Sequence, residues 1–169
     1  TQNRKSTVTG WVKIYEELQI TEEDILKRKD LYLNLLNSIS PQGIQISQDE
    51  LKKVLNELSD DYEHIIQSLG FNLGNNVQKV AKGSFIILKS LYKKKDLKNQ
   101  IIENIVQNIS IPNKNIRLEV LKWIVNQELT TDQKNTIRDI FQEGSDPIDR
   151  EILKELLVST IKNEDNIEK

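Results

Sequence analysis

Apolar residues recur at helical spacing along almost the whole chain. Near the N-terminus this spacing is seen at Trp11, Val12, Ile14, Tyr15 and Leu18. The longest regular stripe comprises Leu51, Val54, Leu55, Leu58, Tyr62, Ile65, Ile66 and Leu69. Steps of three and four residues place each set on one face of a helix. Ile44 and Ile46 alternate briefly as a strand would, but two residues do not make a strand, so the pattern predicts an all-α protein.

Capping and stop signals divide this pattern into helices. Thr21 precedes three acids that favour a helix N-terminus, and Ser47 with Glu50 has the spacing of a capping box. Residues 41–43, Pro-Gln-Gly, are typical of a turn, and Gly70 is placed to end a helix in the left-handed conformation. The signals predict helices at about 8–19, 21–38, 47–69, 77–94, 97–109, 114–128, 130–142 and 147–162.

The second half of the chain has similar signals. Asp96 and Asn113 stand where N-caps are expected, and Thr130 with Gln133 forms another capping box. Asp146 precedes a proline, whose missing N–H costs nothing in the first turn of a helix. Gly83 lies inside a predicted helix and weakens it by about 1 kcal/mol relative to Ala, so we expect a close helix contact or a bend there.

Short connections between these helices predict one folded unit. Loops of two to six residues place sequential helices side by side and mostly antiparallel. The expected architecture is therefore a compact bundle of about eight antiparallel helices in a single domain, residues 1–169. We expect a weak seam at residues 70–76 and a frayed tail at residues 163–169.

Three helix openings are similar to one another and suggest a repeat. They begin at Val77, Ile116 and Ile148, with spacings of 39 and 32 residues. This pattern resembles the helix pairs of HEAT or armadillo arrays, which bury their apolar faces by stacking. Stacked helix pairs are therefore the alternative to a compact bundle.

Charge is segregated along the chain although the formal net charge is only −2. Residues 1–15 sum to +3, residues 16–66 to −7, residues 72–122 to +7 and residues 126–169 to −5. Such an acidic, basic, acidic order within one domain is typical of a binding face or of subunits that associate through opposite charges.

The sequence offers little material for catalysis or for metal binding. There is no Cys, and His64 is the only His, so thiolate sites and paired His sites are excluded. The glycines of residues 70–74 follow a helix rather than a strand and lack the Gly-Lys-Ser/Thr of a phosphate loop. We therefore expect no catalytic residue, no cofactor and no metal, and a protein that is not an enzyme.

The expected location is the cytoplasm, without a membrane partner. A chain without Cys fits a reducing compartment. No apolar run approaches the roughly 20 residues that a membrane span needs, and the polar residues 1–5 give no sign of a secretory signal.

A cluster of lysines supplies the strongest candidate for a binding surface. It consists of Lys79, Lys82, Lys89, Lys93, Lys94, Lys95 and Lys98. Several share a helix face, Tyr92 beside them could stack on a base, and Trp11 is a further candidate for docking if it is exposed. Trp11 and Trp123 are otherwise expected in the core.

These observations favour a non-enzymatic regulatory or adaptor protein that binds a protein partner or another copy of itself. The first alternative is a nucleic-acid-associated factor that uses the lysines non-specifically, since Arg, the residue suited to bidentate readout, is scarce. The second is a helical sensor domain that holds an apolar ligand.

Overall fold

The structure, a computed structural model, describes residue 10, residues 21–142, and residues 146, 147, 149–151 and 154. The first predicted helix with Trp11, most of the last predicted helix, and the tail at residues 163–169 lie outside these residues. Within residues 21–142 there are eight α-helices and no strand, which confirms the all-α class. They are α1 (Glu22–Lys27), α2 (Lys29–Leu36), α3 (Pro41–Lys53), α4 (Tyr62–Asn72), α5 (Gln78–Tyr92), α6 (Lys98–Gln107), α7 (Lys114–Ile124) and α8 (Thr131–Gln142).

Three predicted N-caps are present. The Thr21 hydroxyl accepts from the Asp24 amide, and the Asp24 carboxylate accepts from the Thr21 amide, so α1 begins with a full capping box. Asn113 accepts from the Ile116 amide at 3.1 Å at the start of α7. The amide of Thr130 donates to the Gln133 side chain at 3.0 Å, which completes the capping box of α8.

The predicted helix at 21–38 is instead two helices. The chain leaves helical geometry at Arg28, which separates α1 from α2. The prediction of a turn at residues 41–43 is also wrong, because Pro41 is the first residue of α3. Ser40 caps this helix by accepting from the Gly43 amide, and proline is well suited to a first helical position.

The capping box predicted at Ser47 and Glu50 is wrong as well. Both residues lie inside α3, where the Ser47 hydroxyl donates to the Tyr32 carbonyl and Glu50 pairs with Lys53. The helix predicted at 47–69 ends at Lys53, with Val54 as its C-cap. Two 3-10 turns at residues 55–57 and 59–61 then redirect the chain into α4.

Gly70 and Gly83 both permit close packing within a helix. Gly70 does not end α4, and no described glycine has a positive φ. A methyl group on Gly70 would stand 3.1 Å from the side-chain nitrogen of Asn108, which directly follows α6, and a methyl group on Gly83 would overlap the Gln48 side chain of α3. Of the two expectations for Gly83, close contact is therefore correct.

Asp96 does not cap the helix that follows it. It lies in a 3-10 turn at residues 95–97, and α6 begins after Leu97 without a side-chain cap.

The helices are layered in two rows. Each helix from α2 to α6 packs against the helix two places further along the chain, so α2, α4, α6 and α8 form one row and α3, α5 and α7 the other. First-row helices begin at intervals of 33, 36 and 33 residues, and second-row helices at intervals of 37 and 36. This order of contacts is the one that stacked helix pairs produce.

One hydrophobic core runs through the stack, from Ile25 to Phe141. Val77 and Ile116, two of the openings that suggested a repeat, stand at the starts of second-row helices α5 and α7. Among the described residues, no helix combines the length and the apolar character that crossing a bilayer requires.

Candidate interaction surface

Helix α5 has a side that packs in the core and an opposite side that carries four of the predicted lysines. Its buried side consists of Val80, Ala81, Ser84, Phe85, Ile87, Leu88 and Leu91. On a helix with about 100° per residue, Lys79, Lys82, Lys89 and Lys93 fall within roughly 80° of one another on the opposite side. We call these four residues the lysine stripe.

An exposed isoleucine lies within the lysine stripe. Ile86 projects inside the arc that the four lysines span, and 39% of its surface is exposed. The stripe therefore offers an apolar contact between cations, rather than charge alone.

Three of the seven predicted lysines contact groups of their own chain. The Lys89 ammonium lies 4.5 Å from the centroid of the Phe85 ring, and that of Lys98 lies 5.1 Å from the Tyr92 ring. Lys94 donates to the Asn56 side chain at 3.0 Å. These contacts orient the ammonium groups, because a cation is attracted to the face of an aromatic ring.

Tyr92 is used within the fold. Its ring meets Trp123 of α7 edge-on at 4.9 Å, and Trp123 meets Phe85 edge-on at 5.7 Å. Trp123, which was expected in the core, is instead partly buried and packs against the core residues. Since Trp123 and Lys98 already contact the Tyr92 ring, this ring is poorly placed to stack on a base.

The other four lysines remain open to a partner. Lys79, Lys82, Lys93 and Lys95 are exposed and make no ion pair with any carboxylate of the described residues. The first three belong to the lysine stripe, and Lys95 follows it in a 3-10 turn. The structure thus brings together part of the predicted set, centred on α5.

His64 lies apart from this surface. It is exposed on α4, with its Nε2 3.4 Å from the Asn37 amide nitrogen. In the part of the chain that the structure describes, no three His, Asp or Glu side chains are grouped so that they could hold a metal ion.

Two further features of the surface and the packing could not be predicted from the sequence. Phe71, which the predicted helices leave in a loop, lies in the last turn of α4, with 76% of its surface exposed, and borders a surface cleft. Arg117 of α7 donates to the buried Asp149 carboxylate at 3.1 Å and to the Ile111 carbonyl at 3.0 Å. Neither residue belongs to a motif, and only the packing of distant segments gives them these surroundings.

The comparisons with known proteins add no relative. No family model, no curated protein and no solved structure matches the chain.

Proposed function

We propose that this protein is a non-enzymatic interaction module that binds an acidic helical segment of a protein partner along the lysine stripe. The observation that carries the proposal is the exposed face of α5, where unpaired ammonium groups flank Ile86. An amphipathic helix with acidic side chains around an apolar residue would match this face in both charge and apolar contact.

The rigidity of α5 supports this role. Its opposite side is buried against α3, α4, α6 and α7, so the stripe is held in place before a partner arrives. A surface that needs no rearrangement loses less conformational entropy on binding.

Nucleic acid is the weaker candidate for the same surface. Of the seven predicted lysines, those at 89, 94 and 98 already contact rings or an amide, and Tyr92 packs against Trp123. The apolar side chain of Ile86 would form no favourable contact with a charged phosphate backbone. Arg117, which could grip a phosphate with two donors, is bound to Asp149.

A binding assay separates these functions. The probes are a labelled amphipathic peptide with one glutamate face and one leucine face, a scrambled peptide of the same composition, and labelled duplex DNA. We expect the amphipathic peptide to bind more tightly than the other two, and its affinity to fall as salt rises from about 0.01 M to about 0.15 M.

A matched pair of variants tests the position of the site. Lys82→Glu with Lys93→Glu should weaken peptide binding about tenfold or more, because two attractive contacts become repulsive. Lys27→Glu with Lys134→Glu changes the net charge equally at α1 and α8 and should leave the affinity within about twofold. Equal losses in both double variants, or tighter binding of DNA than of peptide, would contradict the proposal.

A further inference from the structure

A second surface of this protein lies along the turns that join first-row to second-row helices. These turns follow α2, α4 and α6, and we call them the turn edge: residues 37–40, 73–77 and 108–113. The Asn72 amide donates to the Leu36 carbonyl at 2.8 Å, which joins the end of α4 to the end of α2. Gly70 packs against Asn108, which joins the end of α4 to the end of α6. The three turns are therefore neighbours.

A cleft of about 380 Å³ lies between the second and third turns. Its walls include Phe71, Asn72, Asn75, Gln107, Asn108 and Ser110. None of its lining residues carries a charge, in contrast to the lysine stripe. A ligand that fits this cleft is neutral and offers both hydrogen-bonding groups and an apolar part.

Internal hydrogen bonds determine which side-chain atoms of three asparagines remain available to a ligand. The Nδ2 groups of Asn72 and Asn108 donate to the backbone carbonyls of Leu36 and Asn104, so each Oδ1 is left as an acceptor. Asn75 accepts from the Val77 amide at 2.9 Å, which leaves its Nδ2 as a donor. These three remaining atoms have no hydrogen bond to any described residue, which leaves two acceptors and one donor among the residues that line the cleft.

The spacing of the turns favours an extended peptide. Packed helices lie about 8–10 Å apart, and an extended chain advances about 3.3 Å per residue, so each helix pair corresponds to about three peptide residues. An extended peptide also has free N–H and C=O groups, whereas a helix has used its own. Next to the first turn lies a more apolar cavity of about 280 Å³, lined in part by Leu31, Leu35 and Ile39.

We infer that the turn edge binds an uncharged, extended peptide segment, with an apolar side chain against Phe71 and main-chain hydrogen bonds to Asn72, Asn75 and Asn108. Phe71 is the anchor, since an aromatic ring that is 76% exposed gains apolar contact when a partner covers it. This surface and its ligand are distinct from the lysine stripe and its acidic helix.

Selection from short random peptides displayed on phage, with the full chain as bait, tests this inference. We expect enriched sequences that are uncharged around an apolar residue. A synthetic copy of the most enriched peptide should bind about tenfold or more weakly to Phe71→Ser. Gln107→Lys, which places a charge in the cleft, should also weaken binding. Both positions are exposed, so the variants should keep the thermal unfolding midpoint of the parent.

Ile140→Ser is the matched control, because it removes an exposed apolar side chain of α8, outside both the cleft and the lysine stripe, and should leave the affinity unchanged. Three results would overturn the inference: no enriched peptide, an enriched peptide that binds Phe71→Ser and Gln107→Lys as tightly as the parent, or an array of immobilised glycans that binds the parent but not Phe71→Ser. A selection that yields acidic peptides alone, whose binding is lost with Lys82→Glu and Lys93→Glu but not with Phe71→Ser, would also overturn it, while supporting the lysine stripe.

Discussion

At the scale of single residues, glycine is required at position 83 because of the Gln48 side chain beside it, and not because of its own backbone conformation. The Gln48 amide of α3 occupies the space beside it, donating to the Ser84 hydroxyl at 2.8 Å and to the Val80 carbonyl at 3.1 Å. Helix propensity alone favours alanine here by about 1 kcal/mol. The contact between α3 and α5 therefore opposes the local preference of α5.

We predict that Gly83→Ala lowers the free energy of unfolding by about 1 kcal/mol. The added methyl group displaces the Gln48 amide, and the loss of its buried hydrogen bonds outweighs the gain in propensity. Urea denaturation measures the change. Ser90→Ala, at an exposed position of the same helix, is the control and should change stability little. A stabilised Gly83→Ala variant would show that α3 and α5 do not approach closely.

A second residue-scale prediction concerns Asp24 at the start of α1. Hydrogen bonds from the Thr21 hydroxyl, at 2.8 Å, and from the Thr21 amide hold the pKa of the Asp24 carboxyl below its usual value. A lowered pKa stabilises the folded state above the unfolded pKa, and this stabilisation is lost as the pH falls through the folded pKa. Thr21→Val should therefore raise the pKa of Asp24 in a carbon-13 NMR titration. Thr130→Val, which alters another cap, should leave it unchanged, and equal values for parent and Thr21→Val would refute this cause.

At the scale of elements, ion pairs connect residues that follow α8 to the start of α7. Arg117 binds Asp149, whose side chain is only 5% exposed, and Lys114 pairs with Asp146 at 2.9 Å. A buried charge that loses its partner is costly, whereas an exposed ion pair contributes little.

Asp149→Asn should therefore lower the free energy of unfolding by about 2–3 kcal/mol, because Arg117 would keep a charge without its nearest partner. Lys114→Gln breaks the more exposed pair and should cost less than about 1 kcal/mol. Thermal or urea unfolding of both variants makes the comparison. Similar losses would mean that the Arg117 pair is not buried in solution.

The elements also show what the sequence could and could not predict. Caps at Thr21, Asn113 and Thr130 were predictable because each is a contact between residues three apart. The break at Val54 was not, since the apolar spacing continues across it while the chain turns between two layers. The contacts of Gly70 and Phe71 likewise depend on α6 and on the third turn, which are distant in sequence.

For the candidate site too, contacts between residues near in sequence were predictable and contacts between distant residues were not. The helix period alone predicted that Lys79, Lys82, Lys89 and Lys93 share a face of α5. The contact of Lys89 with Phe85, four residues earlier on the same helix, also follows from that period. The contact of Lys94 with Asn56 was beyond the sequence, because the two residues are 38 positions apart.

At the scale of the whole molecule, the fold is a stack of layers, each formed by one first-row helix and the second-row helix that follows it. Because each layer packs mainly against its neighbours, a local loss of stability should decline with distance along the stack. Leu69→Ala removes a fully buried side chain of α4 and should cost about 2–5 kcal/mol there. Native-state hydrogen exchange should show larger losses of protection in α2, α4, α5 and α6 than in α8. Equal losses throughout would indicate one cooperative unit instead.

Layering also places the charged segments of the described helices in chain order. The acidic residues 16–66 and the basic residues 72–122 belong to successive parts of the chain, and stacking preserves that order among the described helices. The basic middle of the stack, with α5 at its centre, is where an acidic partner would be attracted most strongly.

The most direct test of the proposed function is a nitrogen-15 NMR titration of the full chain with the amphipathic glutamate and leucine peptide. We predict that amide shifts change most along the exposed face of α5, at Lys79, Lys82, Ile86 and Lys93, and little at the turn edge or on α8. Changes centred on another surface, or no change at peptide concentrations that saturate binding, would contradict the assignment of α5 as the binding surface.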